Sequence, residues 1–295
     1  MTNDPSTLVS YSNQGYKTHM RVFAASDIHT DFKKNWSVVA ELSDTEYLND
    51  ALIVAGDIAD QLETIRNSLL LLRSKFQRVF YVPGNHELWV RGGGLDSLEK
   101  FLRIVELCES LDVEMRPSKV EGLWIVPLVS WYESSFDVEA GGDESSLEGW
   151  GDFRFCKWPD AIDQVSDYFI RMNEPNIKDY DGQVISFSHF LPRPELLPPR
   201  RNLRFKGLPK VAGSASIEDQ IRRLNSKMHV FGHSHINYDC IIDGVRYVQN
   251  ALAYPNEHRR ERSPVKLIWR SEELDRKLEP GFGMAAGSCS DTLSI

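Results

Sequence analysis

Five short apolar runs in this chain each end on side chains able to bind a metal ion, and that coincidence restricts the fold more than any other feature. The run from Arg21 to Ser26 leads into Asp27 and His29, and the run from Ala51 to Gly56 leads into Asp57. Val79 to Val82 passes through Pro83 and Gly84 to Asn85, His86 and Glu87. Val184 to Ser188 leads into His189, and Met228 to Gly232 leads into His233 and His235. Each run has the length and the Val, Ile and Phe content of a buried strand. In open α/β sheets, ligands bind beyond the carboxyl ends of the strands. The pattern therefore predicts strand ends converging on a metal site.

Between these runs the apolar spacing turns helical. Leu62, Ile65, Leu69, Leu72 and Phe76 recur at three and four residues, and Leu95, Leu98, Leu102, Val105 and Leu111 follow suit. Shorter helices are predicted within Ser37–Tyr47, Ala161–Met172 and Ser214–Leu224. Leu123 to Trp131 reads as a strand. Tyr238–Ile242 and Val245–Asn250 flank Asp243-Gly244, a hairpin signal, and Lys266–Arg270 adds a last strand. One domain over 20–270 is expected, after a loose lead-in over 1–19 and before a polar tail over 271–295. Within it, 133–152 is acidic and poor in hydrophobes, so an exposed insertion is expected, pinned by an aromatic clasp over Phe153–Trp158. The three glycines 92–94, with no Lys-Ser/Thr after them, read as a hinge.

The net charge of −9 disfavours non-specific attraction to nucleic acid or an anionic membrane. The four cysteines, Cys108, Cys156, Cys240 and Cys289, are far apart and read as free thiols of a reducing compartment. No apolar run approaches the roughly 20 residues that span a bilayer, and 1–18 lack an apolar signal core. A cytoplasmic protein is the expectation.

The ligand types have a chemical logic. Asp27 and His29 are two residues apart, so in extended chain they point the same way and can grip one ion. Asp57 offers two oxygens and can bridge two ions. Asn85 and His189 can serve a second ion, and His233 and His235 can be divided between the two. Five of the eight histidines stand at these strand ends. Mixed carboxylate, amide and imidazole ligation suits Mn, Fe or Zn better than Mg or Ca. Without thiolate ligands, a closed structural zinc site is disfavoured.

Taken together, Asp27 and His29, Gly56-Asp57, Gly84-Asn85-His86-Glu87, His189 and Gly232-His233 with His235 resemble the motif blocks of the calcineurin-like metallophosphoesterases, in order, from about Arg21 to Asn250. The resemblance implies an α/β fold of two mixed β-sheets packed face to face with flanking helices. It implies that Asp27, His29, Asp57 and His235 bind a first metal, and that Asp57, Asn85, His189 and His233 bind a second. His86 would be the catalytic histidine, protonating the leaving group while the two cations activate water for hydrolysis of a phosphate monoester or diester. Asp60 has two readings, holding the His86 ring or capping the helix from Leu62. It stands where the purple acid phosphatase pattern has Tyr, and Gln61-Leu62 replaces the Arg-Gly of the protein-phosphatase branch. Arg193, Arg200, Arg201 and Arg204 follow His189 and are candidates to grip a substrate phosphate. A phosphorylated small molecule is the expected substrate. A nuclease of related fold and a catalytically silent scaffold are the alternatives.

Overall fold

The computed structural model describes residues 20–92, 94–139, 147–258 and 263–271. The lead-in over 1–19, Gly93 of the hinge, the middle of the insertion, Cys289 and nearly all of the tail lie outside the described residues.

The core is a sandwich of two mixed sheets. The first has the order β10-β1-β2-β3, where β1 is Arg21–Ala25, β2 is Ala51–Ala55, β3 is Arg78–Val82 and β10 is Lys266–Arg270. The second has the order β4-β5-β6-β7-β9-β8, from Ser118–Val120, Leu123–Pro127, Gln183–Phe187, Met228–Phe231, Val245–Gln249 and Tyr238–Ile242. In the first, β1, β2 and β3 run parallel; in the second, β5, β6, β7 and β9 do. Antiparallel β10, β4 and β8 close the edges.

Side chains alternate along each strand, and the alternation decides the layers. Val22, Ala24, Ile53, Phe80 and Val82 of the first sheet share one apolar cluster with Ile125, Ile185, Phe187 and Val230 of the second. Their neighbours in sequence, such as Phe23, Leu52, Val54 and Tyr81, face outward under helices. Those helices include α1 (Lys33–Ala40), α2 (Leu62–Lys75), α3 (Ser97–Ser110), α5 (Val165–Asn173) and α6 (Ala215–Arg223). The short α4 spans Gly151–Phe155. Asp96 and Glu99 form a capping box on α3, and Ser214 caps α6. Asp243 and Gly244 both take positive φ, the conformation that a tight hairpin requires.

Two expectations need correction. The helix expected within Ser37–Tyr47 ends at Ala40, because the Ser43 hydroxyl accepts the Thr45 and Glu46 amides and bends the chain into a turn. The insertion over 133–152 is not uniformly exposed either. Phe136 and Asp152 are each only 2% exposed, and Glu133 accepts the Ser214 hydroxyl. Low average hydrophobicity concealed single anchors. The clasp is partial: Phe155 packs on Trp89 and Trp158 on Trp131, while Phe153 is 61% exposed.

Backbone hydrogen bonds continue past the strand ends. Asp27 N–H donates to Gly56 O and His29 N–H to Asp57 O, each at 3.0 Å, and Gly232 N–H donates to His189 O at 2.9 Å. Glu87, fully buried, ties the loops after β2 and β3 together. Its carboxylate accepts the backbone N–H groups of Asp57 (3.0 Å), Gly84 (2.6 Å), Ala59 (3.3 Å) and Ile58. Glycine is required beside it, since a Cβ on Gly84 would run into Asp57 Oδ1 and the His189 ring.

An amide at position 87 offers one acceptor oxygen where the carboxylate offers two. We expect Glu87→Gln to cost about 1–3 kcal/mol for each backbone donor left unpaired, read as a lowered midpoint in urea. An unchanged midpoint would mean that these loops hold themselves.

Candidate metal centre

All five runs deliver their side chains to one place at the carboxyl ends of β1, β2, β3, β6 and β7. Ligand atoms of Asp27, His29, Asp57 and His235 lie within 4.8 Å of one another, and so do those of Asp57, His189 and His233. Asp57 belongs to both groups. Its Oδ2 lies 3.9 Å from His29 Nε2, and its Oδ1 lies 3.5 Å from His189 Nε2. In the first group, His235 Nε2 is 3.0 Å from His29 Nε2 and 3.5 Å from Asp27 Oδ1. In the second, Asn85 Oδ1 is 3.1 Å from His189 Nε2 and 3.0 Å from His233 Nδ1. The structure thus brings together all seven residues expected to be ligands.

The outer atoms of two rings settle which nitrogen faces the centre. His189 Nδ1 lies 2.9 Å from the Ala55 carbonyl, and His235 Nδ1 lies 2.7 Å from Glu257 Oε2. A carbonyl oxygen can only accept, so the His189 proton sits on Nδ1 and Nε2 presents a lone pair inward. Glu257 does the same for His235 while ionised. Burial opposes ionisation of Glu257, yet its bond to His235 and the nearby Arg204 guanidinium hold it below the usual carboxylate range. Burial, then the neighbouring imidazoles, pushes His29 and His233 well below the usual histidine range, so both are neutral. Burial, then Glu87 and Asp27, pushes Asp57 up. Lewis bases crowded at 3–4 Å with few donors among them fit divalent cations, whose charge reverses the effect on Asp57.

His86 stands beside the Asp57 carboxylate, which the two groups share. Its backbone N–H donates to Asp57 Oδ1 at 3.1 Å, and its Nε2 lies 3.9 Å from Asp57 Oδ2. Trp89 packs on one side of the ring, centroid to centroid 3.7 Å, and Tyr254 Oη lies 3.0 Å from Nε2. Asp60 fills neither role expected of it. Its carboxylate pairs with Arg91, and the residue at the α2 cap is Gln61, which makes no side-chain cap bond. Arg91 competes successfully because its guanidinium is held over Trp89 and Phe155 beside the acid.

The arginine loop also divides. Arg193 pairs with Glu195, Glu218 and Asp243, and Arg200 pairs with Asp137 and Glu139, so these two brace the surface. Arg201 and Arg204 are exposed and make no ion pair among the described residues. Phe205 lies flat against Trp150 at 5.3 Å, and Trp150 meets His233 edge-on at 5.9 Å. The loop therefore reaches the second ligand group through an aromatic pair.

Three residues at the centre escaped the sequence reading. Tyr254 stacks on His29 at 4.4 Å and Glu257 orients His235; both follow β9, another strand of the same sheet. A sixth strand ending above the same site was the available signal. Asp152, bonded to Asn85, was hidden in the acidic insertion.

Comparison with known proteins agrees with this geometry. The family model for the calcineurin-like phosphoesterases matches residues 20–237. The chain is 30% identical to the [acyl-carrier-protein] phosphodiesterase PptH of Mycobacterium tuberculosis, in an alignment covering 88% of this chain and 86% of that protein. The crystal structure of that phosphopantetheinyl hydrolase superposes with a TM-score of 0.70 at 24% identity, covering 89% of this chain and 99% of the other. The chain belongs to the calcineurin-like phosphoesterase family and is a metal-dependent phosphoesterase.

Proposed function

We propose that this chain is a dinuclear-metal phosphodiesterase that releases a phosphopantetheinyl group from an acyl carrier protein. The observation that carries the dinuclear reading is Asp57, whose two oxygens face two separate ligand groups. The substrate reading is supported by the likeness to a carrier-protein phosphodiesterase along nearly the full length of both chains. On this reading the scissile ester is carried by a protein, where the sequence pointed to a free small molecule.

Asp27, His29, Asp57 and His235 would hold a first cation, and Asp57, Asn85, His189 and His233 a second. Mn, Fe or Zn would suit this mixture of oxygen and nitrogen ligands. Bound there, they would supply Lewis acidity toward the phosphoryl oxygens and the water. Hydrolysis adds water to phosphorus and breaks the bond to the ester oxygen on the carrier protein, which leaves as an alkoxide and needs a proton. His86 is the donor. Burial and neighbouring imidazoles keep the free ring neutral, and the negative charge of an arriving phosphodiester opposes that shift and favours the protonated form. Tyr254, bonded at the same nitrogen, keeps the ring turned toward the centre. The exposed guanidinium groups of Arg201 and Arg204 would meet an anionic group of the substrate.

Asp57→Asn is expected to lose both bound metal and turnover of an aryl phosphodiester. His86→Ala is expected to keep its metal while turnover falls about 10²–10⁴-fold; full activity in it would remove His86 from the reaction. Incubating the Mn-loaded chain with a phosphopantetheinylated carrier protein is expected to give the unmodified carrier by mass spectrometry. Retention of the prosthetic group, with aryl diesters still cleaved, would defeat the substrate assignment alone.

A further inference from the structure

Asp152 is 2% exposed and stands second in α4, 67 residues from Asn85 in sequence. Its Oδ1 accepts the Asn85 Nδ2 amide at 2.8 Å and the Trp89 indole N–H at 2.6 Å, and its Oδ2 accepts the Trp150 indole N–H at 2.7 Å. Glycine precedes it at 151 because a Cβ there would strike the Trp89 ring. Two indoles thus stop the carboxylate from turning, the Tyr132 hydroxyl donates to it as well, and a further donor is the amide of a residue facing the metal centre.

A side-chain amide has one donor end and one acceptor end. We propose that Asp152 is a positioning residue for the second cation, fixing the Asn85 amide so that Oδ1, and not Nδ2, faces His189 and His233. Turned the other way, the amide would aim its N–H groups at the cation and its oxygen at the Asp152 carboxylate, so both contacts would become repulsive. Asp152 acts on the metal only through Asn85. It belongs to the layer behind the ligands, where partners of this kind tune metal affinity. The proposal rests on the dinuclear reading above. The competing account is that Asp152 merely anchors its loop through the two tryptophans.

A double-mutant cycle separates these accounts. The metal-free wild type, Asp152→Ala, Asn85→Ala and the double variant are titrated with Mn²⁺ by calorimetry, with circular dichroism to check folding. The wild type is expected to take up two equivalents. Asp152→Ala is expected to weaken, by about 10–100-fold, the equivalent that Asn85→Ala also weakens, and to leave the other unchanged. In the Asn85→Ala background the same substitution should add no more than about twofold. If Asp152→Ala weakens neither equivalent, weakens both alike, or acts as strongly without Asn85, the proposal is wrong while the dinuclear reading stands. A wild type that takes up a single equivalent overturns both. Should the alanine variant fail to fold, Asp152→Asn keeps the side-chain shape but sets an N–H group against one of its donors. It is expected to give a smaller weakening that again disappears in the Asn85→Ala background, and persistence there would overturn the proposal.

Discussion

One carboxylate, Asp57, sits between two groups of Lewis bases, and the arrangement of the loops follows from that sharing. A side chain of this size can face both groups only if the ends of β1, β2, β3, β6 and β7 reach the same point within a few ångströms. The chain meets this condition with backbone in a region that most residues avoid. Asp27, His29, Asp57, His233 and His235 all have positive φ, between 39° and 72°. Asp and His tolerate the left-handed region better than β-branched residues do, so the residue types that bind metal also suit the turns that aim them. The conformation still costs energy at each residue. It persists because the same backbone groups are hydrogen bonded from strand end to strand end and because Glu87 holds four more donors.

Behind the inward-facing atoms stands a layer of acceptors that decides their orientation. Ala55 O fixes the His189 proton, Glu257 the His235 ring and Asp152 the Asn85 amide. His29 lacks such a partner at Nδ1 among the described residues and is held by stacking on Tyr254. The His86 ring packs on Trp89 and meets the Tyr254 hydroxyl at Nε2, while its backbone N–H is held by Asp57.

How much of this was legible in the sequence depends on the range of the signal. The strand-to-side-chain pattern is local: the run and the residue it delivers are contiguous, so the strands and the seven residues that meet beyond their ends could be read together. Helices α2 and α3 were equally plain, because their apolar spacing is regular. The expected roles of Asp60 and Arg193 were not secure, because each depends on a partner that no spacing reveals: Arg91 for one, Glu218 and Asp243 for the other. Asp152 was misread for a different reason. A single buried acid within an acidic, glycine-rich segment carries no compositional mark, and its burial follows from donors contributed by Asn85, Trp89, Trp150 and Tyr132.

The distribution of those donors distinguishes scaffold from ligand among the buried acids. Burying a carboxylate is costly unless something meets its charge. Glu87 is met by four backbone N–H groups, and Asp152 by two indoles, an amide and the Tyr132 hydroxyl. Asp27 accepts the Ser26 hydroxyl and the His233 N–H, and Asp57 accepts the His86 N–H at Oδ1. Asp57 Oδ2 faces imidazole nitrogens instead, at 3.9 Å from both His29 and His86. Two acids are thus saturated by the protein and two retain open lone pairs, and the two left open are those directed at the ligand clusters. Divalent cations meet that remaining charge, so binding them stabilises the folded chain as well as equipping it for hydrolysis.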